Sequence, residues 1–407
     1  MALSKIKTAS MAADAVDNTI LDLTSDYAFT GTVTGASALG DNMVINGGMI
    51  ISQRGTTFAS TANTAYTLDR MQWYDTGAGV VDISQSTDTP NGNFKNSLKV
   101  DVTTADSSLA AGDLYNILTR LEGYTIAHLG WGTSAAKTVT LSFYIKSPKT
   151  GTHSVVLRNS DSSRTRVEEF TVSAANTWER KTITIPGDTG GTWQSNHTVG
   201  LQLIFPLAAG STFHAASTVG SWGTDSNNSG NIYASSNQVN CMDDAANNWY
   251  ITGIQLEEGP TATAFKHEDY ATTLRKCHRY YFRTDSFASA AVHFNIEGFI
   301  YTDTQSRFAL QLPTVLRSQP TITLVPAYNT GSDWQTNIAG IGNKAWTLTA
   351  TIYLTGGAHG TGASLSPRVD FYVTNSTWSN STYWGRRCQP FSNTGVSANY
   401  IEADSEF

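Results

Sequence analysis

The sequence predicts an all-β protein in which a jelly roll or β-sandwich is followed by a short linker helix and a second, C-terminal β-sandwich. Three observations predict this class. Apolar and polar residues alternate in several short segments, as they do in half-buried antiparallel strands. Charged residues make up only 14% of the chain, against roughly 25% in an average soluble domain. Serine, threonine, asparagine and 34 glycines replace them, which is typical of strands joined by turns.

The chain has 407 residues, which is too long for one ordinary core and favours two or three domains. We predict an extended attachment segment over residues 1–40, a jelly roll over 41–268, a linker helix over 269–282 and a C-terminal β-domain over 283–407. The attachment segment has too few apolar residues to build a core, so we expect it to become ordered on a partner.

The N-terminal sequence MALSKIKTASMAADAVDNTILDL lacks the apolar stretch of a signal peptide. No segment approaches the roughly 18 consecutive apolar residues that a membrane-spanning helix requires. We therefore expect a chain that is made in the cytoplasm and does not insert into a membrane.

The clearest strand is KTVTLSFYIKS, residues 137–147, where Val139, Leu141, Phe143 and Ile145 share one face. The same alternation recurs in KTITIPG (181–187), VGLQLIF (199–205) and AWTLTATIYL (345–354). Each segment is predicted to be a half-buried antiparallel strand, since one face is apolar and the other is polar.

A β-bulge is predicted at Gly253. Trp249 and Ile251 lie at odd positions whereas Ile254 and Leu256 lie at even positions, so the apolar face of this strand changes side between them. One extra residue at the glycine would keep all four on the same face. Gly259-Pro260 is expected to end the strand, because proline has no N–H to donate to the ladder.

The period becomes helical after Asp269, which is a plausible N-cap. Tyr270, Leu274, Cys277 and Tyr281 are spaced four, three and four residues apart, which predicts an amphipathic helix with these side chains on its apolar face. We interpret this helix as a wedge between the jelly roll and the C-terminal β-domain.

Five segments carry a resemblance to a known family, and they are DNMVINGGMIISQRGTTF (41–58), YTLDRMQWY (66–74), residues 113–159, WERKTITIPGD (178–188) and residues 251–281. They resemble, in the same order, a carbohydrate-binding-module-like jelly roll of phage tail-fibre and minor virion proteins. The first 35 residues are similar to the virion-attachment segments of marine phage fibres. Beyond residue 283 the resemblance is limited to LPTVLRSQPTITL (312–324) and NYIEADSEF (399–407). It implies that QLEEG closes the jelly roll and that the helix leads into a distal β-domain.

Two loops of the predicted jelly roll contain candidate sugar-binding aromatic residues. Trp193 lies among glycine, glutamine and asparagine, and Trp222 and Tyr233 lie in a loop rich in asparagine and serine. An exposed aromatic plane beside amides is suited to a pyranose ring. The alternative is that these tryptophans cover the edge of the sandwich. Trp131 precedes a strong strand and is predicted to be a core residue.

The densest aromatic and cationic group is NSTWSNSTYWGRRC, which contains Trp378, Tyr383, Trp384 and Arg386. At the distal end of a fibre, these residues could stack on sugars and pair with their carboxylates or phosphates. The alternative is a strand buried in the seam of a trimer.

Other chemistry is disfavoured. A formal charge of −7 without a basic stripe argues against nucleic acid as a partner. Asp225, Asp243 and Asp244 lack the spacing of an EF-hand, so we expect no metal site and no cofactor, although a structural calcium ion is left open. The three cysteines are far apart in sequence and are interpreted as buried free thiols.

No catalytic constellation is recognisable either. Glu257 and Glu258 are adjacent on a strand, where neighbours point to opposite faces and cannot flank one glycosidic bond. The sequence has no GxSxG motif and no repeat that would build a β-helix. We therefore expect a protein that is not an enzyme, and a polysaccharide depolymerase is the least favoured hypothesis.

The leading hypothesis is a homotrimeric tail fibre that is bound to the virion through residues 1–40 and contacts host surface glycans. Such a protein would contact other virion proteins through its N-terminus. The alternative is a head fibre, decoration or spacer protein of the virion without a selective ligand.

Overall fold

A computed structural model describes residues 42–224, 232–284, 292–293, 298–302, 305–325, 334–338, 342–345, 353–354, 368–374, 387–392 and 400–407. All of these residues belong to one compact unit, Gly40–Phe407. Its described elements are mainly antiparallel strands, which confirms the predicted all-β class. No helix among these residues is both long enough and apolar enough to cross a membrane.

The jelly roll is a sandwich of antiparallel strands. Its strands are β1 (Thr57–Phe58), β2 (Gln72–Asp75), β3 (Val80–Ser86), β4 (Ser97–Thr104), β5 (Leu114–Glu122), β6 (Val139–Lys146), β7 (Gly151–Arg158), β8 (Thr165–Val172), β9 (Trp178–Ile185), β10 (Val199–Ala209) and β11 (Asn248–Glu258). A short helix α1 (Gly123–Ile126) and two 3-10 turns, Ala127–Leu129 and Ser211–Phe213, connect them.

Two sheets enclose the core. One has the order β1-β3-β4-β11-β6-β9 and the other has the order β2-β5-β10-β7-β8. Apolar side chains from both sheets interdigitate between them, including those of Trp73, Ile117, Phe143, Phe205 and Trp249. Face-to-face packing of this kind buries the inner face of the central strands.

The predicted strands at 137–147, 181–187 and 199–205 are confirmed as β6, β9 and β10. The expectation of half-buried strands is wrong for β10, where Gln202 and Ile204 are buried as well, and for β6, where Thr140 and Ser142 on the polar face are also buried. The chain after β11 turns back over this face, and the Thr140 hydroxyl donates to the carbonyl of Gly259 at 2.6 Å. In AWTLTATIYL, residues 346–352 lie outside the described residues.

The predicted bulge at Gly253 is confirmed. The register between β11 and β6 shifts between Thr252 and Gln255, and Gly253 has a φ of 63°, a conformation that favours glycine. The bulge leaves Ile254 outside the β6 ladder. Its N–H donates to the carbonyl of Gly47 at 3.0 Å, and its carbonyl accepts from the Asn42 amide at 2.8 Å.

The start of the sandwich is therefore attached directly to its last strand. Asn42 Oδ1 accepts from the backbone N–H of Leu256 at 3.1 Å, and the N–H of Met43 donates to the carbonyl of Leu256 at 3.0 Å. β11 ends at Glu258, immediately before Gly259-Pro260, as predicted.

The linker helix is α2, Tyr270–His278. Its predicted N-cap is confirmed, since Asp269 Oδ1 accepts from the backbone N–H of Thr272 at 3.0 Å. The predicted apolar face is partly wrong: Cys277 is buried and Leu274 is half-buried, but Tyr270 is 60% exposed. The helix also ends before Tyr281, which belongs to the next strand, because pairing with a C-terminal strand takes over there.

The remaining described strands form two antiparallel sheets. They are β12 (Tyr281–Arg283), β13 (Val292–His293), β14 (Gly298–Thr302), β15 (Gln305–Gln311), β16 (Thr321–Val325), β17 (Trp334–Ile338), β18 (Gly342–Ala345), β19 (Tyr353–Leu354), β20 (Arg368–Thr374), β21 (Arg387–Ser392) and β22 (Tyr400–Asp404). A three-stranded sheet has the order β12-β22-β16. The larger sheet has the order β18-β17-β21-β14-β15-β20-β19, with β13 paired to β21.

The residues after β22 return to the jelly roll. Arg70 forms a buried ion pair with Glu406, and the ring of Phe407 lies 5.9 Å from that of Tyr280. The guanidinium group of Arg317 donates to the backbone carbonyl of Ser405 at 2.8 Å. The last residues of the chain thus join the C-terminal sheet, the end of α2 and the jelly roll.

Candidate functional site

Trp193 and Trp222, which are 29 positions apart in sequence, meet on the surface of the jelly roll. Both pack edge-to-face on Trp131, with ring centroids at 4.7 Å and 5.2 Å, and their own centroids are 5.4 Å apart. Trp131 is 6% exposed, which confirms it as a core residue, whereas the other two are half-buried. We call these three residues the tryptophan cluster.

All three indole N–H groups of the tryptophan cluster donate to groups of the protein itself. Trp131 donates to the carbonyl of Lys137 at 2.8 Å, and Trp222 donates to the carbonyl of Pro186 at 2.6 Å. Trp193 donates to the carboxylate of Asp188 at 3.2 Å. The rings are therefore fixed, and only the exposed carbon surfaces of Trp193 and Trp222 are free for a ligand.

An ion pair between the half-buried Arg164 and the buried Asp188 holds the loop of Trp193 in place. The guanidinium group of Arg164 donates two hydrogen bonds to the Asp188 carboxylate, at 2.7 Å and 2.6 Å, and this bidentate pairing raises the pKa of Arg164. Gly191 lies against the Arg164 side chain with a φ of 72°, so any other residue there would be strained and would collide with it. The loop geometry depends on this contact.

Tyr233, the third predicted aromatic residue of the jelly roll, is not an exposed plane. It is 7% exposed and lies on the outer face of the five-stranded sheet. Its hydroxyl accepts from the guanidinium group of Arg158 at 2.9 Å, and that group also lies 4.4 Å from its ring centroid. The chain after β10 folds back over the sheet, and this covering segment buries the ring.

Sequence reasoning missed Tyr74, which is half-buried and stacks parallel to Tyr233 with centroids 6.1 Å apart. Burial and the neighbouring Tyr233 raise the pKa of Tyr74. The signal was present in the strand QWYD, because Trp73 faces the core and the next residue must face outward.

Asn116 lies beside Tyr74 in the sheet, paired in register with Tyr74 on one side and with Pro206 on the other. Its side chain is fully buried, and neither amide atom has a hydrogen-bond partner among the described residues. An unpaired buried amide costs about 1–3 kcal/mol. This part of the outer face is therefore less stable than an apolar one would be.

The acidic residues considered in the sequence have structural partners. Glu257 is buried and accepts from the N–H of Thr263 at 2.9 Å, whereas Glu258 is half-buried and pairs with Lys137 at 3.0 Å. The two carboxylates therefore lie in different surroundings, as adjacent strand positions predict. Asp243 pairs with Lys149 at 2.8 Å.

Over the described residues, no group of three histidine, cysteine, aspartate or glutamate side chains is placed to hold a metal ion. Asp225 lies outside those residues. Cys241 and Cys277 are buried free thiols, as predicted, and burial raises the pKa of Cys241 to about 12. Such a thiol is a poor nucleophile at neutral pH.

The predicted C-terminal contact residues, Trp378, Tyr383, Trp384 and Arg386, lie outside the residues that the structure describes. Their role as a ligand-binding group stays a prediction. Of the predicted site residues that are described, Trp193 and Trp222 are brought together, and Tyr233 lies apart from them.

No family model matches the sequence, and no curated protein does. Among solved structures, the enzymatically active domain of tailspike protein 4 from bacteriophage CBA120 is similar to 49% of this chain, with 12% identity and a TM-score of 0.27. This chain covers 21% of that protein's length.

Two carbohydrate-binding modules are similar over almost their whole length. TmCBM61, in complex with β-1,4-galactotriose, is matched over 99% of its chain and 54% of this one, with 8% identity and a TM-score of 0.26. The C-terminal family 22 module of Clostridium thermocellum Xyn10B is matched over 99% of its chain and 52% of this one, with 14% identity and a TM-score of 0.26. With such low identities and TM-scores, the ligand of neither module can be assigned to this chain.

Proposed function

We propose that this chain is a phage virion protein, a trimeric tail fibre or receptor-binding appendage that contacts host surface glycans. The observation that carries the glycan contact is the paired, half-exposed tryptophan surface of Trp193 and Trp222. The resemblance of residues 41–281 to phage jelly rolls supports the placement in a virion. Attachment through residues 1–40 is part of the same proposal.

The tryptophan cluster is suited to stacking on a sugar ring. Its two outer rings are already ordered by Trp131 and by internal hydrogen bonds, so a ligand would not have to fix them. A rigid aromatic surface supplies contact area at a low cost in conformational entropy. Gln194, next to Trp193, has a side chain without a hydrogen-bond partner in the described part of the chain, and it could bind sugar hydroxyls.

The proposed role is binding rather than catalysis. Glu257 accepts hydrogen bonds from Thr263, and Glu258 forms an ion pair with Lys137. Both carboxylates are therefore already bonded within the protein. A pair of carboxyl groups about 5–10 Å apart across a bound sugar is what glycoside hydrolysis needs. No cofactor is part of the proposal.

The test is competition for adsorption. Excess purified chain should block adsorption of the phage to its host, and light scattering should give the mass of a trimer. Trp193→Ala and Trp222→Ala should weaken the block, and Trp378→Ala, Trp384→Ala or Arg386→Ala should abolish it, because the C-terminal domain is proposed to be distal. Three copies per fibre would amplify each weak contact through avidity.

The second candidate is a structural spacer of the virion. It is favoured by the internal bonding of all three indole N–H groups, which is what a lid over the sandwich edge requires. If the wild-type chain neither competes for adsorption nor binds any glycan on an array, the spacer function replaces the proposed one.

A further inference from the structure

A cavity of about 360 Å³ lies on the side of the jelly roll where β11 carries its bulge. Three segments form its walls: residues 42–50, the pair Phe94 and Lys95, and residues 265–276 at the start of α2. It contains none of the residues of the tryptophan cluster. Its volume is within the range of about 300–1,000 Å³ that is usual for small-molecule sites.

One wall of the cavity is aromatic. The rings of Phe94, Phe265 and His267 contact one another, with centroids 4.9–5.2 Å apart. Phe94 is held from behind by the bulge, since a Cβ on Gly253 would lie 2.9 Å from its ring. Gly48 faces Phe265, where a Cβ would be at an ordinary distance of 3.5 Å. The wall is therefore formed before any ligand arrives.

The acidic side chains at the cavity are already bonded. Glu268 pairs with Lys276 at 2.5 Å and accepts from the hydroxyl of Thr273 at 3.1 Å. Asp269 is used as the N-cap of α2, through its bond to Thr272. The partners of these two carboxylates therefore offset part of their repulsion of a bound anion.

The unengaged polar groups at the cavity are basic. Lys95 is exposed, and neither its ammonium group nor the ring nitrogens of His267 have a hydrogen-bond or ion-pair partner in the described ranges. An apolar wall beside an unpaired cation is complementary to a ligand with a flat apolar face and a carboxylate.

We propose that this cavity binds a carboxylate-bearing sugar unit of the hexuronate type. The apolar face of the pyranose stacks on Phe265, its carboxylate pairs with Lys95, and its hydroxyls bond to His267 and the rim of α2. The proposal shares its ligand class with the proposed function, but it uses a separate site. The cavity and the tryptophan cluster would together give this protein two contact sites for an acidic polysaccharide.

The test is a calorimetric titration of the full chain with methyl glucuronide and with methyl glucoside, its neutral counterpart. The glucuronide should bind at least about tenfold more tightly, and Lys95→Met, which keeps the aliphatic stem, should remove this preference. Lys137→Met is the matched control, because Lys137 pairs with Glu258 outside the cavity and its loss should leave the titration unchanged.

Two further variants distinguish loss of the binding site from loss of the folded structure. Gly48→Val should place its side chain against Phe265 and abolish stacking there while the unfolding transition stays in place, and Phe265→Ala should abolish binding by removing that ring. The titration uses the purified chain without phage or host cells, so failure of the proposed adsorption function is distinguishable from failure here. Equal affinity for both glycosides, no binding of either, or unchanged binding by Lys95→Met would overturn the proposal.

Discussion

Arg70 and Glu406 form an ion pair that is almost completely enclosed, with side-chain exposures of 2% and 4%. Arg70 lies in the turn before β2 of the jelly roll, and Glu406 follows β22. The guanidinium group of Arg70 also stacks on the ring of Tyr280, 3.4 Å from its centroid. Both charges are thus held in a junction where solvent cannot replace either partner.

Glu406→Ala should lower the free energy of unfolding by about 3–5 kcal/mol, because it leaves the buried Arg70 charge without its partner. Chemical denaturation followed by tryptophan fluorescence measures this loss. Glu268→Ala is the matched control, since its pair with Lys276 is partly exposed and should cost no more than about 1 kcal/mol.

The double variant Arg70→Met, Glu406→Leu should recover most of that loss, because apolar residues of similar volume can replace a buried pair. A double variant as unstable as Glu406→Ala alone would show that the other contacts of Arg70, and not the unpaired charge, determine the stability of the junction.

His153 should make stability fall between neutral pH and about pH 5. Burial lowers the pKa of His153 below its ordinary value of about 6.5. Nε2 bonds to the carbonyl of Lys149 at 3.1 Å, so it carries the proton and donates, while Nδ1 is buried without a partner among the described residues. A second proton on Nδ1 would therefore be a buried charge with no acceptor.

The sign follows from the direction of the shift. Because the folded-state pKa is depressed, the stability from neutral His153 is complete above the unfolded pKa and is lost as the pH falls through the folded one. His153→Gln should flatten the dependence of unfolding free energy on pH from 7 to 5.

Gly253→Ala should destabilise the protein more than Gly220→Ala. Both glycines have a left-handed backbone, with φ of 63° and 70°, so each substitution costs about 1–2 kcal/mol of backbone strain. A Cβ on Gly220 meets nothing within 4 Å, whereas one on Gly253 would press on Phe94. Equal unfolding midpoints for the two variants would show that Phe94 moves aside freely.

Asn116→Leu should raise the free energy of unfolding by about 1 kcal/mol, because it removes a buried amide that has no partner. The equally buried Asn159 is the contrast. Its side chain donates to Ser163 and to the carbonyl of Thr192, both at 3.0 Å, so Asn159→Leu should destabilise the fold. Thermal denaturation of both variants compares them directly, and destabilisation by Asn116→Leu would refute the prediction.

Local features of the fold were predictable from sequence. The parity change in NWYITGIQLEE was sufficient to place the bulge at Gly253, and the change of period was sufficient to place the cap at Asp269. Each depends on the preferences of a few adjacent residues. The core position of Trp131 was predictable in the same way, from the strand that follows it.

Features that depend on distant segments were not predictable. Thr140 and Ser142 are buried because residues after β11 cover them, and the Tyr74 stack forms because the chain after β10 crosses the sheet. A periodic pattern records which face a side chain points to, but not what later lies on that face. The meeting of Trp193 and Trp222 required the fold for the same reason.

The attachment of Asn42 to β11 has a mechanical consequence. Tension applied at the N-terminal end of the sandwich passes at Asn42 through hydrogen bonds into Ile254 and Leu256, which lie four and two residues before the end of β11. The load then leaves through residues 259–269 to α2, so the other strands lie outside the direct path of the force. A pull at the N-terminal end of the sandwich would load these hydrogen bonds to β11 first.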